Sequence, residues 1–243
     1  MKGRREQSRL PVTMKNESIA AIIVAGGAGA RLGGTTPKGF VSLGDKPLFL
    51  HSLEIFLHHS AVKEAVLVIP DGFEPYARII LREAGISPQV ALITGGKERW
   101  QSVKNGVEAT SAHWVLVHDA ARPFVTNSVI DAVLEKRVAF DCVITATPEV
   151  DTIRMHAGDL AGEVIDRSKL IRIGTPQLFR RSKLLEAFKI PADLSAPPTD
   201  EAVLMQRMGI PVGIAIGDLA NFKITTPTDF AVAEALVAYR QKV

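Results

Sequence analysis

Short runs of apolar residues alternate with longer segments of helical spacing from residue 18 onward. A continuous apolar run of about four to eight residues that ends at glycine or proline is typical of a strand buried on both faces of a sheet. Such runs predict strands at residues 19–25, 65–69, 90–93, 114–118, 142–146 and 212–216. Helical spacing of apolar residues predicts helices at residues 48–58, 74–84, 100–110, 127–137, 181–188, 200–208 and 227–242.

This regular alternation indicates the fold class, which is α/β. Strand–helix–strand units at this spacing favour parallel strand pairs, each with its connecting helix packed on one face of the sheet. We therefore expect a Rossmann-like, mostly parallel sheet with helices on both faces. A chain of 243 residues suits one such domain.

The alternation stops over residues 148–174, where the segments are short, polar and rich in turns. Two candidate strands, at residues 151–155 and 163–167, flank a loop at residues 156–162. Two short strands around such a loop are typical of a β-hairpin. We predict a hairpin arm that protrudes from the main sheet.

The net charge of +3 is confined to the start of the chain. Residues 1–17 hold five basic and two acidic residues, whereas the remainder holds 24 of each. We expect residues 1–17 to form a flexible basic extension and residues 18–243 to form the single domain. The equal numbers of acidic and basic residues in the domain argue against a nucleic-acid partner, because proteins that bind nucleic acids carry a basic face.

The chain has one cysteine, Cys142, which lies in an apolar run. It cannot form an intrachain disulfide, and a buried thiol in a reducing compartment is the simplest interpretation. No apolar run approaches the length of a membrane span, so no membrane partner is expected. The short N-terminal extension does not support plastid targeting, and we expect a cytoplasmic, bacterial protein.

The first predicted strand runs directly into a glycine-rich turn, Ala25-Gly-Gly-Ala-Gly-Ala-Arg31. Glycines there allow a ligand to approach the backbone, and exposed amides bind phosphate oxygens. The turn matches neither a dinucleotide fingerprint nor a Walker A loop, and a purely structural turn is the alternative. Arg31 and Lys38 favour a triphosphate site, since two cations near such a turn neutralise phosphate charge.

At this point the chain resembles the sugar-phosphate nucleotidylyltransferases, whose signature is Ala-Gly-Gly-x-Gly-x-Arg followed by Pro-Lys. Further motifs in order make it similar to one family among them, the 2-C-methyl-D-erythritol 4-phosphate cytidylyltransferases of non-mevalonate isoprenoid biosynthesis. These motifs begin at Gly95, His118, Asp151, Asp166, Thr175, Thr199 and Asn221. The resemblance covers about residues 19–240 and implies a cytidylyltransferase that releases pyrophosphate from CTP.

The resemblance also implies roles for individual residues. The catalytic cations around the α-phosphate would be Arg31, Lys38 and Lys223. The nucleotide would be bound by Ala25, Gly26, Gly27, Gly96, Ser102, Asp119 and Ala120. The second substrate would be a sugar-alcohol phosphate. Its binding site would be lined by Asp119, Arg122, Thr152, Arg167, Thr175 and Thr199.

Some of these residues also have a structural interpretation. Asp119 could be a helix-start carboxylate, although ligands bind at the carboxyl ends of parallel strands. The Thr199-Asp200-Glu201 segment could be an N-cap followed by a first-turn acid, with Thr199 as cap. We expect His118 to pack or hydrogen-bond at the end of its strand rather than to catalyse.

Family likeness further implies a homodimer, in which the arm at about residues 148–174 completes the partner's site. It implies Mg²⁺ or another divalent cation, bound mainly through the CTP phosphates rather than by identified protein ligands. The close alternative activity is a ribitol-5-phosphate cytidylyltransferase. An alternative of a different class is a non-catalytic nucleotide-binding module, which would not need the cations around the glycine turn.

Overall fold

The structure, a computed structural model, describes residues 17–26, 36–190 and 199–241. Within these ranges the strands are β1 (Ile19–Val24), β2 (Ser42–Leu43), β3 (Lys46–Pro47), β4 (Val62–Ile69), β5 (Val90–Thr94), β6 (Trp114–Asp119), β7 (Cys142–Pro148), β8 (Ile153–Ala157), β9 (Leu160–Ile165), β10 (Ile171–Arg180) and β11 (Val212–Ile216). The α-helices there are α1 (Leu48–His58), α2 (Glu74–Glu83), α3 (Arg99–Glu108), α4 (Asn127–Lys136), α5 (Arg181–Ala187), α6 (Glu201–Arg207) and α7 (Pro227–Arg240).

The main sheet has the strand order β11-β7-β10-β6-β1-β4-β5 over the described ranges. β1 pairs in parallel with both β4 and β6, and β5 and β11 extend the sheet in parallel at its two edges. Only β10 runs antiparallel among these strands. The predicted α/β fold with a mostly parallel sheet is confirmed.

β10 lies where no strand is predicted. Its sequence, Ile-Arg-Ile-Gly-Thr-Pro-Gln-Leu-Phe-Arg, contains no continuous apolar run, and Gly174 and Pro176 interrupt it. Proline has no N–H to donate to a ladder, and the register with β7 shifts between Gly174 and Leu178. Burial between β6 and β7 therefore outweighs a sequence that is unfavourable for a strand.

Helices cover both faces of the main sheet, as predicted. Helices α1, α2 and α4 pack on one face, and α3, α5 and α6 pack on the other. Side chains of alternate residues of β1 point to opposite faces of the sheet. Ile19, Ala21 and Ile23 pack against α1, α2 and α4, whereas Ile22 packs against α3, α5 and α6. Full burial of each aliphatic side chain contributes about 1.5–3 kcal/mol, so both layers stabilise the sheet.

Helix α3 approaches the sheet closely at one glycine, Gly106, near its carboxyl end. A Cβ atom at Gly106 would lie 2.6 Å from a methyl carbon of Ile22 and 2.9 Å from one of Val68. Both distances are shorter than side chains normally allow. Gly106 thus permits the helix to lie directly on β1 and β4.

The predicted hairpin is present. β8 and β9 pair antiparallel as a separate two-stranded sheet, with Ile153 opposite Ile165. Their side chains are largely exposed, including Met155, Leu160 and Val164. The hairpin at residues 153–165 is therefore an arm attached to β7 and β10 rather than part of the sheet.

Helix α7 belongs to a third, smaller cluster that includes Leu43, Leu48, Phe124, Ile224 and Ala233. The cluster attaches the segment before α7 to the turn after β6. Thr226 caps α7 in a reciprocal capping box with Asp229, which defines where this segment ends.

Glu17 is part of the folded body, although the predicted extension includes it. Its carboxylate accepts hydrogen bonds from Trp114 Nε1 at 2.7 Å and from Arg180 Nη1 at 3.2 Å. Across the ranges that the structure describes, no helix has the length and apolar character needed to cross a membrane.

Candidate active site

The carboxyl ends of four parallel strands meet at one edge of the sheet. β1 ends at Val24, β4 at Ile69, β5 at Thr94 and β6 at Asp119. Their registers place Val24 beside both Val68 and Asp119. Ligands of open α/β sheets bind outside this edge, so the segments that follow these strands form the candidate site.

After β1, the chain passes close to the loop that carries Lys38. A Cβ atom at Gly39 would lie 2.7 Å from the Cβ atom of Ala25, so only glycine allows this approach. Ala25 N–H donates to Val68 O at 2.8 Å, which holds the start of the glycine turn against β4. Gly27 and Arg31 lie outside the described residues, so their predicted roles stay predictions.

Lys38 is half-buried and begins a short 3₁₀ turn beside α7. The pKa of Asp229 is lowered first by the backbone N–H groups of Thr226 and Thr225, and further by the charge of Lys38. The ammonium of Lys38 therefore lies near the segment before α7, which also carries Lys223.

Gly26, Gly96 and Ser102, which are predicted to bind the nucleotide, lie close to one another. Gly96 N–H donates to Ser102 Oγ at 3.1 Å. A Cβ atom at Gly26 would lie 3.8 Å from the same hydroxyl oxygen, and one at Gly96 would lie 2.3 Å from Gln101 Cβ. These three residues form a narrow polar site beside the start of α3.

Asp119 is the charged centre of the site. Its Oδ2 accepts from Lys223 Nζ at 2.7 Å, and its Oδ1 accepts from Arg99 Nε at 2.9 Å. Burial alone would raise the pKa of Asp119, but the charges of Arg99 and Lys223 outweigh it and hold that pKa well below its usual range. Asp119 is therefore an ionised carboxylate that each of two cations contacts through a different oxygen.

Arg99 also contacts a second carboxylate, that of Glu201. Arg99 Nη1 donates to both oxygens of Glu201, at 3.0 and 2.8 Å. The Glu201 side chain is only 1% exposed. Burial raises the pKa of Glu201, and the charge of Arg99 offsets part of that rise. The pKa of Arg99 lies above its ordinary value because its two acidic neighbours outweigh its own burial.

The turn after β6 is joined to the segment at residues 221–225. Ala120 N–H donates to Val24 O at 3.0 Å, and Ile224 N–H donates to Ala121 O at 2.9 Å. Arg122 Nη1 donates to Asn221 O at 3.0 Å. These backbone-directed bonds bring Ala120, Arg122 and Lys223 close together beside the end of β6.

Thr175 is buried and connects the end of β6 to the side chain of His118. Its Oγ1 accepts from the backbone N–H of Asp119 at 3.1 Å and lies 3.0 Å from His118 Nδ1. The hydroxyl therefore donates its own proton to Nδ1, and His118 carries its proton on Nε2, which donates to Arg122 O at 3.0 Å. Thr175 acts here by positioning Asp119, and His118 has the structural role expected for it.

The remaining predicted ligands lie apart from this centre. Thr152 and Arg167 are exposed residues that flank the arm, and Arg167 Nη1 donates to Val150 O at 2.7 Å. No hydrogen bond within the described ranges joins them to Asp119 or Lys223. Thr199 is exposed, and the N-cap of α6 is Asp200 instead, whose side chain accepts from Val203 N–H at 3.2 Å. The expected capping role of Thr199 is therefore wrong.

A cavity of about 220 Å³ opens beside Lys223. Its lining includes three cations, Arg122, Arg172 and Lys223, and one carboxylate, that of Asp218. The excess of positive charge favours an anion of modest size. The cavity lies next to the Asp119 centre because Lys223 belongs to both.

Sequence reasoning assigned no role to Arg99 and Glu201, although both occur in motifs that it singled out. One signal was present: Arg99 is the first residue of α3, where the helix dipole disfavours a cation. A cation at that position requires an acidic partner from elsewhere in the fold. The partners, Asp119 and Glu201, are 20 and 102 residues away in the sequence, so spacing alone could not identify them.

The fold and this site define the class of the protein. A parallel sheet presents a glycine turn, a narrow polar site and a set of cations at its carboxyl edge. Buried Cys142, whose thiol pKa is raised by burial, lies in β7 and takes no part. The class is that of α/β enzymes that bind a nucleotide and transfer part of it.

The chain belongs to the 2-C-methyl-D-erythritol 4-phosphate cytidylyltransferase family, whose model matches residues 19–239. The resemblance found in its motifs is confirmed, and so is the nucleotidyltransferase activity that it implied. The comparisons do not favour the ribitol-5-phosphate alternative.

Individual relatives agree. The 2-C-methyl-D-erythritol 4-phosphate cytidylyltransferase of Alkaliphilus metalliredigens is 36% identical over 227 residues, which cover 92% of this chain and 94% of the relative. The solved structure of the Thermus thermophilus enzyme of that name has a TM-score of 0.75 at 30% identity and covers 89% of this chain and 98% of its own. The solved 4-diphosphocytidyl-2C-methyl-D-erythritol synthase from Anaerococcus prevotii, at 23% identity, shares the fold with a TM-score of 0.81 over 94% and 100% of the two chains.

Burial of His118 beside this site predicts a pH-dependent stability. Burial lowers the pKa of His118 from 6.5 to about 4 in the folded protein, so between these values the unfolded chain binds the additional proton. The free energy of unfolding is therefore highest above pH 6.5, where His118 is neutral in both states, and it falls as the pH falls towards 4. Between pH 7 and pH 5, we expect the free energy of unfolding of wild type to fall by about 2 kcal/mol more than that of His118→Gln.

Urea denaturation at pH 7, 6 and 5 measures this difference. His58→Gln, which changes an exposed histidine of α1, is the matched control and should keep the wild-type dependence. Equal pH dependence in wild type and His118→Gln would contradict the assignment of a buried, neutral His118.

Proposed function

We propose that this chain transfers the cytidylyl group of CTP to 2-C-methyl-D-erythritol 4-phosphate, with release of pyrophosphate. The observation that supports this most directly is the ionised Asp119, which contacts Lys223 at the edge where the glycine turn and the Gly96–Ser102 site also lie. That placement lets one nucleotide span from the polar site to the cations. The products are 4-diphosphocytidyl-2-C-methyl-D-erythritol and pyrophosphate.

The cytosine is assigned to the site formed by Gly26, Gly96 and Ser102. The Gly96 N–H and the Ser102 hydroxyl, which lie 3.1 Å apart, are the polar groups assigned to the edge of the base. A base that cannot replace their hydrogen bonds would leave polar groups unpaired, which is how such sites reject other nucleotides. The ribose then lies near Asp119 and Ala120, and the phosphates lie towards the glycine turn and Lys38.

The acceptor is assigned to the cavity beside Lys223 and Arg122. One oxygen of its phosphate forms a bond to the α-phosphorus of CTP while the bond from that phosphorus to the bridging oxygen breaks. The electron pair of the broken bond leaves with pyrophosphate. A phosphate monoester is already an anionic nucleophile, so no general base is required. Lys38, Lys223 and the predicted Arg31 act by positioning the phosphates and neutralising their charge.

A divalent cation, Mg²⁺ or a similar ion, is part of the proposal. The described residues hold no group of three or more histidine, cysteine, aspartate or glutamate side chains placed to bind a metal. This fits an ion held mainly by the CTP phosphates, because Mg²⁺ often binds substrate phosphates and keeps several waters. When bound, the ion would neutralise charge on the phosphates.

A homodimer is also proposed, and an exposed apolar face beside the arm supports it. Ile173 of β10 and Ile216 of β11 are both opposite Ala146 of β7, so their side chains share one face of the sheet. Ile171 and Ile214, two residues away, lie on the same face. All four isoleucines are exposed, and Ile216 is 67% exposed.

The arm also exposes apolar side chains, those of Met155, Leu160 and Val164. An exposed group of apolar side chains such as the four isoleucines often marks an interface. A second copy would cover it and would bring the arm, with Thr152 and Arg167, to the neighbouring site. We also propose a cytoplasmic location, which agrees with one buried, unpaired cysteine.

Two lysine substitutions test the activity. Lys38→Ala and Lys223→Ala should each lower turnover by about 100-fold or more, since each removes a charge that neutralises the reacting phosphates. Pyrophosphate release from CTP is measured with 2-C-methyl-D-erythritol 4-phosphate and, separately, with ribitol 5-phosphate. Lys63→Ala, at the amino end of β4, is the control and should keep wild-type turnover.

Wild type should release pyrophosphate rapidly with the methylerythritol substrate alone. Release with neither acceptor would overturn the proposed function, and faster release with ribitol 5-phosphate would overturn the substrate assignment. Near-normal turnover in either lysine variant, with the fold retained, would remove that lysine from the mechanism.

An interface variant tests the dimer. Ile214→Asp combined with Ile216→Asp places two charges on the apolar face and should convert a dimer to monomers of 26.2 kDa. Turnover should fall in parallel, because the arm would no longer reach the partner's site. Sedimentation velocity gives the mass of each species.

Tyr239→Asp is the matched control, since Tyr239 is an exposed apolar residue of α7 outside this face. It should stay dimeric and active. A wild-type protein that sediments as a monomer, or a double variant that stays dimeric, would contradict the proposed interface.

A further inference from the structure

The position of Lys223 depends on a single carboxylate. Its side chain is 42% exposed, and a long exposed lysine side chain samples many rotamers unless a partner fixes it. The hydrogen bond from Nζ to Asp119 Oδ2, at 2.7 Å, restricts that freedom. Wherever Asp119 places Oδ2, the ammonium of Lys223 follows.

The orientation of Asp119 depends in turn on Arg99. The backbone of Asp119 is fixed by β6 and by Thr175, but rotation of the carboxylate is not. Arg99 Nε contacts Oδ1 at 2.9 Å, which leaves Oδ2 directed at Lys223. Without Arg99 the plane of the carboxylate could rotate about the Cβ–Cγ bond, so the oxygen that meets Lys223 would no longer be held in one place.

Arg99 is fixed by Glu201, which is shielded from solvent. Nε contacts Asp119 while Nη1 contacts both oxygens of Glu201. A planar guanidinium can donate to two carboxylates from different nitrogens in a fixed geometry, whereas the ammonium of a lysine cannot reproduce that fork. Glu201 is 1% exposed and cannot touch a substrate, so any effect it has on the reaction must pass through Arg99.

We infer that Arg99, fixed by Glu201, is a positioning residue for the transfer step: it orients Asp119 so that Lys223 is directed at the phosphate site. The connected groups come from the start of α3, the start of α6, the end of β6 and the segment before α7. This inference rests on the proposed function, because Lys223 is taken as the cation that meets the nucleotide.

Two variants that keep the size of the side chains test it. Arg99→Lys retains the positive charge but loses the planar guanidinium that donates to both carboxylates. It should lower kcat by about tenfold to 100-fold, since small displacements of reacting groups have effects of that size. Glu201→Gln keeps the shape and one acceptor, and it should lower kcat by about threefold to tenfold. KM for CTP should change by less than about threefold in both, because neither residue is assigned to nucleotide binding.

Arg180→Lys is the matched control. Arg180 is 29% exposed, as Arg99 is, and it also joins two carboxylates, those of Glu17 and Asp141. It lies at the amino ends of β6 and β7, on the opposite edge of the sheet. Thermal unfolding of Arg180→Lys and Arg99→Lys should shift by similar amounts, yet only Arg99→Lys should lose turnover.

The outcomes separate the positioning role from a purely structural one. If Arg99→Lys and Glu201→Gln both fold and keep wild-type kcat, the inference is overturned. A rise in KM with unchanged kcat would also overturn it, because Arg99 would then be a nucleotide ligand. Should one variant fail to fold, kcat of the other decides. Failure of the proposed function is distinguishable, since wild type itself would then be inactive with CTP and the methylerythritol phosphate.

Discussion

The site depends on one buried carboxylate that is kept ionised at the end of a parallel strand. Removing Asp119 from water is unfavourable unless cations lie close to both of its oxygens. Lys223 and Arg99 meet this requirement from two segments far apart in the sequence. The burial of a single charge therefore fixes where those segments must lie.

Each supporting element of the fold can be understood from that constraint. Helix α3 lies close to the sheet because Gly106 allows it, so its first residue reaches Asp119. Helix α6 begins at Glu201, which neutralises Arg99 where the helix dipole would otherwise oppose it. The segment before α7 is bonded to the turn after β6 and brings Lys223 across. The scaffold places charges in pairs before any substrate arrives, which is the form of preorganisation that phosphate chemistry needs.

Much of this could be read from the sequence. Apolar runs located the parallel strands, helical spacing located the helices, and the polar interval contained the hairpin arm. β10 escaped prediction because its burial comes from its neighbours, β6 and β7, and not from an apolar run of its own. In the candidate site, the glycines, Ser102, Asp119 and the lysines are predicted mostly through family resemblance, and their roles stay predictions.

The residues that sequence reasoning missed are those whose role is defined by a partner. Glu201 looks like an ordinary first-turn acid until the fold brings Arg99 to it. Thr175 was expected to line a substrate, but its hydroxyl lies between His118 and the backbone of Asp119. Contacts between side chains that are far apart in the sequence produce no periodic pattern, because they depend on how the loops meet at the edge of the sheet.

The most direct test of this account is the turnover of Asp119→Asn with CTP and 2-C-methyl-D-erythritol 4-phosphate. Asparagine keeps the shape but removes the charge that orients Lys223 and Arg99, so turnover should fall by about 100-fold or more while the fold persists. Asp131→Asn, on the exposed side of α4, provides the matched control. A folded Asp119→Asn enzyme with turnover within about fivefold of wild type would contradict the account.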